Sequence, residues 1–179
     1  MEADRILRGR ILEMVPQQHP FRFIEEITEL DEEHIIGGYR FRNDEYFYRG
    51  HFPGLPVTPG VILIETMAQT GVVAFGLYLN LLRRKGEKQI DDPVTLFTLV
   101  ETVEFSGVVR PGEPVRVTGR KVYFRGNQIK VDCVMTRPDG EEVCSGILAG
   151  KGVPWEQFME RNGRGPASII AGRVKEETE

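Results

Sequence analysis

Cysteine, histidine and tryptophan are scarce here: the 179 residues contain two, three and one of them. Cys133 and Cys144 stand too far apart for a CxxC pair, which argues against a disulfide framework and a thioredoxin-like redox motif. His19, His34 and His51 show no metal-ligand spacing, so no metal site is expected. No Ser or Cys nucleophile motif is present. Excess positive charge is missing as well: 23 Lys and Arg stand against 27 Asp and Glu, a net charge of −4 with no basic stripe, which argues against nucleic acid as a partner. Repeats and low-complexity tracts are lacking. The opening MEADRILRGRILEMV carries Glu2, Asp4, Arg5, Arg8 and Arg10 and no apolar core of signal-peptide length, so the expected location is cytoplasmic.

What the chain does have is one long apolar run. From Val61 to Leu82 it reads VILIETMAQTGVVAFGLYLNLL. A helix apolar on every side lies in a core or in a membrane, and this one is long enough to cross a bilayer. Glu65, Thr66, Gln69, Thr70 and Asn80 interrupt the run and no second such segment exists, which favours a buried central helix. Pro59 suits a helix N-terminus, where its missing N–H costs nothing, and Gly60 leaves the first turn open to an approaching ligand.

Around this run the chain divides into short elements. Ile6 to Val15 reads as an amphipathic helix ended by Pro16. Phe21 to Glu29 and His34 to Phe41 read as a strand pair, with Gly37-Gly38 marking a bulge in the second. Four further strands follow: Val94 to Phe105, Pro114 to Arg125, Gln128 to Thr136 and Glu141 to Gly150. They are separated by turn signals at Arg110-Pro111-Gly112-Glu113, Gly126-Asn127 and Arg137-Pro138-Asp139-Gly140. If the last turn is a four-residue loop, Thr136 pairs with Glu141 and Cys133 lies opposite Cys144, both thiols being small core residues facing the helix. A strand pair, a buried helix and a run of antiparallel strands predict an α+β fold in which a curved sheet wraps the helix. One sheet covers only part of an all-round apolar helix, so the remainder argues for dimerisation. Residues 1–152 form the expected domain. Residues 153–179 form an extension, partly flexible, in which Trp155 and Phe158 pack back.

The chemistry gathers between His51 and Gln69, HFPGLPVTPGVILIETMAQ. Pro53, Pro56 and Pro59 stiffen the backbone and hold a side chain in place at low entropic cost. Glu65 and Gln69, four apart, share a helical face. A carboxylate in such a helix is a structural group satisfied by Gln69 or backbone, or a working acid with a raised pKa. His51 is a loop or cap histidine, or the base of an acid–base pair with Glu65. Gly60 N–H, at the positive end of a helix, suits a developing oxyanion. Together these are the parts for removing a proton beside a carbonyl and expelling a leaving group.

The stretch resembles the signature of the (3R)-3-hydroxyacyl-[acyl-carrier-protein] dehydratases of the FabZ type, a hot-dog fold family whose pattern is close to HFPGxPxMPGVLxxEAMAQ. Val15 to Phe21 (VPQQHPF) resembles the family's LPHRYPF, and Phe105 to Glu113 (FSGVVRPGE) resembles FRRPVVPGD. The resemblance implies a catalytic base at His51, a partner acid at Glu65 and a thioester carbonyl bound by Gly60 N–H. Phe52, Gln69, Val61, Ile62 and Leu63 are then substrate-binding or tunnel residues, or plain core. It implies no cofactor, an acyl-carrier-protein substrate, and a homodimer with shared active sites that can assemble further into hexamers. The sister FabA type has Asp at the position of Glu65.

Departures fall at Ser106 and Gly107 for the paired arginines, His19 and Arg22 for Tyr and Leu, Thr58 for Met and Thr66 for Ala. They leave acyl chain length open, along with primary fatty acid synthesis or a specialised polyene or polyketide pathway. An acidic carrier protein calls for a basic docking surface. Candidates are Arg40, Arg42, Arg49 and the cluster Arg83, Arg84, Lys85 and Lys88, which is equally a favourable charge at a helix C-terminus. A hot-dog acyl thioesterase and a non-catalytic acyl-binding subunit are the rival readings.

Overall fold

A computed structural model describes residues 2–83 and 93–154 of the chain. Helix α1 (Arg5–Met14) begins at Asp4, whose Oδ1 accepts the Leu7 N–H at 2.8 Å. Strands β1 (Glu26–Leu30) and β2 (His34–Arg40) form a hairpin, and a short 3-10 helix (Tyr46–Arg49) follows. The central helix runs from Gly60 to Arg83 as α2 (Gly60–Ala68), a π segment (Gln69–Ala74) and α3 (Phe75–Arg83). Strands β3 (Pro93–Phe105), β4 (Pro114–Arg125), β5 (Gln128–Thr136) and β6 (Glu142–Pro154) complete one antiparallel sheet of order β1-β2-β4-β5-β6-β3.

The central helix is long and apolar enough to cross a membrane, but 78% of its apolar window is buried inside the protein. It is a core helix. The inner face of the sheet meets it with Ile35, Val117, Ile129, Val131, Cys133, Met135 and Leu148, all at most 2% exposed. Glycines bring helix and sheet unusually close. A Cβ at Gly71 would lie 2.5 Å from Cys133 Sγ, one at Gly150 2.5 Å from Val72 Cγ1, and one at Gly119 3.1 Å from Gly71 Cα. Gly37 belongs to the same contact, since a Cβ there would meet Thr70 Cγ2 at 3.0 Å. Gly37 is thus part of the floor for the helix, Gly38 turns to Glu26 of β1, and the bulge lies opposite, in β1 between Ile27 and Glu29.

Three other expectations change. The first strand starts at Glu26 rather than Phe21, because the Gln69 side chain takes the backbone groups of residues 21 and 23. The register of β5 and β6 is shifted by two at Cys133, which faces Gly146, and by one at Thr136, which faces Glu142, with an irregularity between Met135 and Thr136. A shift of two keeps every side chain on its face, so both thiols still sit in the core, and burial pushes both thiol pKa values up, that of Cys144 to about 11. Finally, the helix leaves little apolar surface for a partner, because α1 and the segment through Phe23 and Ile24 cover the side the sheet leaves open.

Unpartnered apolar surface lies instead on β3, an edge strand where Leu96, Phe97, Leu99, Val100 and Phe105 are 39–53% exposed. A long apolar edge is a template for pairing with another chain. Strand β6 carries the sheet to Pro154, two residues past 152, while Trp155, Phe158 and the rest of the extension lie outside the described residues.

Candidate active site

Between the short helix and α2 the chain makes a tight loop whose ends are both tied. His51 N–H donates to Phe47 O at 3.0 Å, Val57 N–H to His51 O at 2.9 Å and Thr58 N–H to Val109 O at 2.8 Å. The His51 ring lies within this frame. Its Nδ1 stands 2.9 Å from Val57 O, and a carbonyl only accepts, so Nδ1 carries the proton. In the neutral ring the lone pair then lies on Nε2, which is the arrangement a general base needs. Phe52 stacks on the imidazole with ring centroids 4.1 Å apart and fixes its plane.

Helix α2 opens at Gly60 with no side-chain cap from Pro59, leaving its first N–H groups without intrahelical partners. Those groups face the partial positive end of the helix dipole. The Phe105 ring covers this end: its Cε1 would be 2.9 Å from a Cβ at Gly60. Only glycine at residue 60 leaves room for the ring and for a ligand oxygen at the N–H.

Glu65 is half-buried, and desolvation raises its carboxyl pKa, an effect the Gln69 hydrogen bond partly opposes. Gln69 is fully buried. Its Nε2 donates to Glu65 Oε1 at 2.9 Å and to Phe21 O at 2.8 Å, while its Oε1 accepts the Phe23 N–H at 2.6 Å. That amide holds Glu65 and is committed to protein groups. Among the described residues no hydrogen bond or ion pair joins Glu65 to His51. Glu65 sits about 7.5 Å along the helix axis and about 140° around it from Gly60.

The remaining sequence candidates sort by exposure. Phe52 and Val61 are exposed beside the His51 loop, at 53% and 71%, whereas Ile62 and Leu63 are core. Arg83 donates to Asn127 Oδ1 at 2.5 Å and lies over the Phe124 ring; Arg84, Lys85 and Lys88 lie outside the described residues. Arg42 is paired with Glu45 and His19, and Arg40 with Gly112 O. Arg49 is exposed and lines an open groove of about 660 Å³ with Tyr48, Phe52, Pro53 and Pro56. Sequence reasoning missed Val57, Phe105 and Tyr48. Val57 acts through its backbone and leaves no sequence signal, while Phe105 and Tyr48 reach the site from outside the motif.

Among the described residues, no group of His, Cys, Asp and Glu could hold a metal ion. The arrangement supplies an imidazole held through Nδ1, a carboxyl kept toward its protonated form, and an uncapped helix N-terminus.

Comparison with known proteins gives concordant results. The FabA-like domain family matches residues 15–146. The 3-hydroxyacyl-[acyl-carrier-protein] dehydratase FabZ of Caldicellulosiruptor bescii is 33% identical over 140 residues, covering 78% of this chain and 93% of that protein. The FabZ of Bacillus licheniformis is 31% identical over 140 residues, covering 78% and 90%. Among solved structures, a chain of the dehydratase heterocomplex ApeI:P from Xenorhabdus doucetiae superposes with a TM-score of 0.67 at 12% identity, over 86% of this chain and 97% of that one. The E. coli PaaI protein gives 0.53 at 10% identity, over 82% and 90%. At such identities these two speak for a shared fold alone.

Proposed function

The chain belongs to the FabA-like family and to its FabZ type, and as the 3-hydroxyacyl-[acyl-carrier-protein] dehydratase which that membership makes it, we propose that it works through His51, Gly60 and Glu65. The observation that carries this reading is the His51 ring: Nδ1–H is held by Val57 O, so Nε2 is the basic nitrogen. In the reaction Nε2 removes the proton from C2 of a (3R)-3-hydroxyacyl thioester. Gly60 N–H and the helix N-terminus receive the charge that builds on the thioester oxygen. The electron pair of the C2–H bond then forms the C2–C3 double bond as the C3–O bond breaks. Glu65 gives its proton to the departing hydroxyl, which leaves as water, and a proton returned from His51 to Glu65 resets the pair. The product is the trans-2-enoyl thioester, and no cofactor enters.

His51 and Gly60 of one protomer act with Glu65 of the partner subunit. That no hydrogen bond or ion pair joins Glu65 to His51 among the described residues of one chain supports this, as does the apolar edge of β3, through which two copies can pair. Trimers of such dimers would give a hexamer. The carrier protein is acidic, and Arg49, exposed two residues before His51, is the cation assigned to meet it. Gln69 serves as the positioning residue of Glu65, Phe52 and Val61 flank the acyl group, and the setting is cytoplasmic fatty acid or related biosynthesis.

The test follows a 3-hydroxyacyl thioester and its 2-enoyl counterpart by ultraviolet absorbance, with His51→Ala and Glu65→Gln alongside. Interconversion by the wild-type protein and its loss in both folded variants are expected. Turnover that survives in either variant would remove that residue from the mechanism. Release of free thiol without enoyl product would place the chain with acyl thioesterases.

A further inference from the structure

The loop that carries His51 and the helix end at Gly60 must keep a fixed distance if one substrate is to meet both. Besides the backbone bond from Val57 N–H to His51 O, a buried side-chain contact joins them. Tyr48, in the last turn of the short helix, is 7% exposed, and Thr58, two residues before Gly60, is 3% exposed. Their hydroxyl oxygens lie 2.6 Å apart. Burial pushes the Tyr48 hydroxyl pKa up to about 12, so the phenol stays protonated and the pair is a neutral O–H···O bond.

Each partner is anchored on its other side. Tyr48 N–H donates to Glu45 O at 3.1 Å, and the Glu45 carboxylate, 2% exposed, accepts from Tyr39 Oη at 2.5 Å and from Arg42. Through β2 the short helix is thereby fixed to the sheet. Thr58 N–H donates to Val109 O at 2.8 Å, which fixes the other end of the loop to the segment beyond β3. Phe47 O, one residue before Tyr48, accepts His51 N–H. The hydroxyl pair thus spans the base of the loop, with His51 and its ring acceptor Val57 between its two ends.

We propose that Tyr48 and Thr58 form a positioning clamp that sets His51 Nε2 against the Gly60 N–H. This rests on the assignment of His51 and Gly60 above. Neither hydroxyl touches the reacting atoms. The clamp acts by holding the loop, and a displacement of about 1 Å between a base and an oxyanion site is enough to cost roughly a hundredfold in rate.

The experiment uses Tyr48→Phe and Thr58→Val, each of which keeps the buried volume and deletes one hydroxyl, together with the double variant. Ile129→Val is the control for stability loss, since Ile129 lies in the core by Gly76. For each single clamp variant kcat is expected to fall roughly tenfold or more with KM within about twofold, and the double variant is expected to be no slower than the slower single. The control, at a comparable drop in melting temperature, is expected to keep its kcat. Wild-type kcat in folded Tyr48→Phe, additive losses in the double variant, or an equal kcat loss in the control would each overturn the clamp. His51→Ala is run in the same assay: if it alone retains turnover, the assignment of the site fails instead.

Discussion

Gly60→Ala separates binding of the oxyanion from integrity of the fold. A methyl at residue 60 would stand 2.9 Å from Phe105 Cε1, 3.0 Å from Cζ and 3.5 Å from Cδ1. Carbon atoms rest about 3.5–4.0 Å apart, so the ring must withdraw by roughly 0.6–1 Å. Phe105 is 53% exposed on an edge strand and can do so. The cost falls at or below the low end of the roughly 1–3 kcal/mol of an overpacked core, and replacing Gly by Ala in a helix returns about 0.5–1 kcal/mol. The net change in stability is within about 1 kcal/mol, or roughly 2–4 °C in melting temperature for a chain of this size. Activity should respond far more, because the methyl and the displaced ring crowd the N–H meant for the thioester oxygen. Loss of one oxyanion donor costs about 10²–10³ in kcat, roughly 2.7–4 kcal/mol of barrier. Absorbance turnover beside a thermal melt reads both quantities on one sample. A folded Gly60→Ala protein with wild-type kcat would refute the placement of the oxyanion at Gly60, and one that cannot fold would refute the room assigned to Phe105.

Further outcomes follow from the same geometry. Burial raises the Glu65 carboxyl pKa above its ordinary value of 4.5, so the folded chain holds a proton that the unfolded chain releases. Its contribution to stability is therefore complete below that ordinary value and is lost as pH rises through the raised one. Glu65→Gln cannot ionise and keeps an oxygen for Gln69 Nε2, so its melting temperature should exceed that of the wild type near neutrality and converge with it in acid; parallel pH profiles would contradict this. Phe97→Asp puts a charge on the exposed β3 edge, and sedimentation should show monomers with little turnover, whereas an intact active dimer would exclude pairing through that edge.

Much of this was legible in the sequence, and what was not shares a cause. Pro114–Arg125 and Gln128–Thr136 were found at their true bounds, because alternating residues between glycine turns report a half-buried strand directly. The motif from His51 to Gln69 gave the proposed base, the proposed acid and the helix N-terminus, since those residues are close in sequence. Interactions that cross the chain were invisible. The Gln69 side chain displaces a strand at Phe21 to Phe23, forty-six residues from the amide oxygen that captures Phe23 N–H. The register of Cys133 depended on an irregularity at Thr136 that no residue type announces. Thr58 stood out as a departure from the family pattern, yet its partner Tyr48 could be found only once the loop had closed. The π segment, Gln69–Ala74, left no recognisable trace in the long run from Val61 to Leu82.

The glycine floor beneath the central helix also decides where an acyl chain cannot go. With Gly71 seated on Cys133, Gly150 beneath Val72 and Gly119 against Gly71, helix and sheet meet so closely that no carbon fits at these three glycines. On the proposed site, this packing would turn an acyl chain away from the centre of its own subunit. The exposed apolar surfaces left there to meet the chain are Val61, Phe52 and the edge of β3. Substitutions there will retune chain length, while enlarging the core will only loosen the fold.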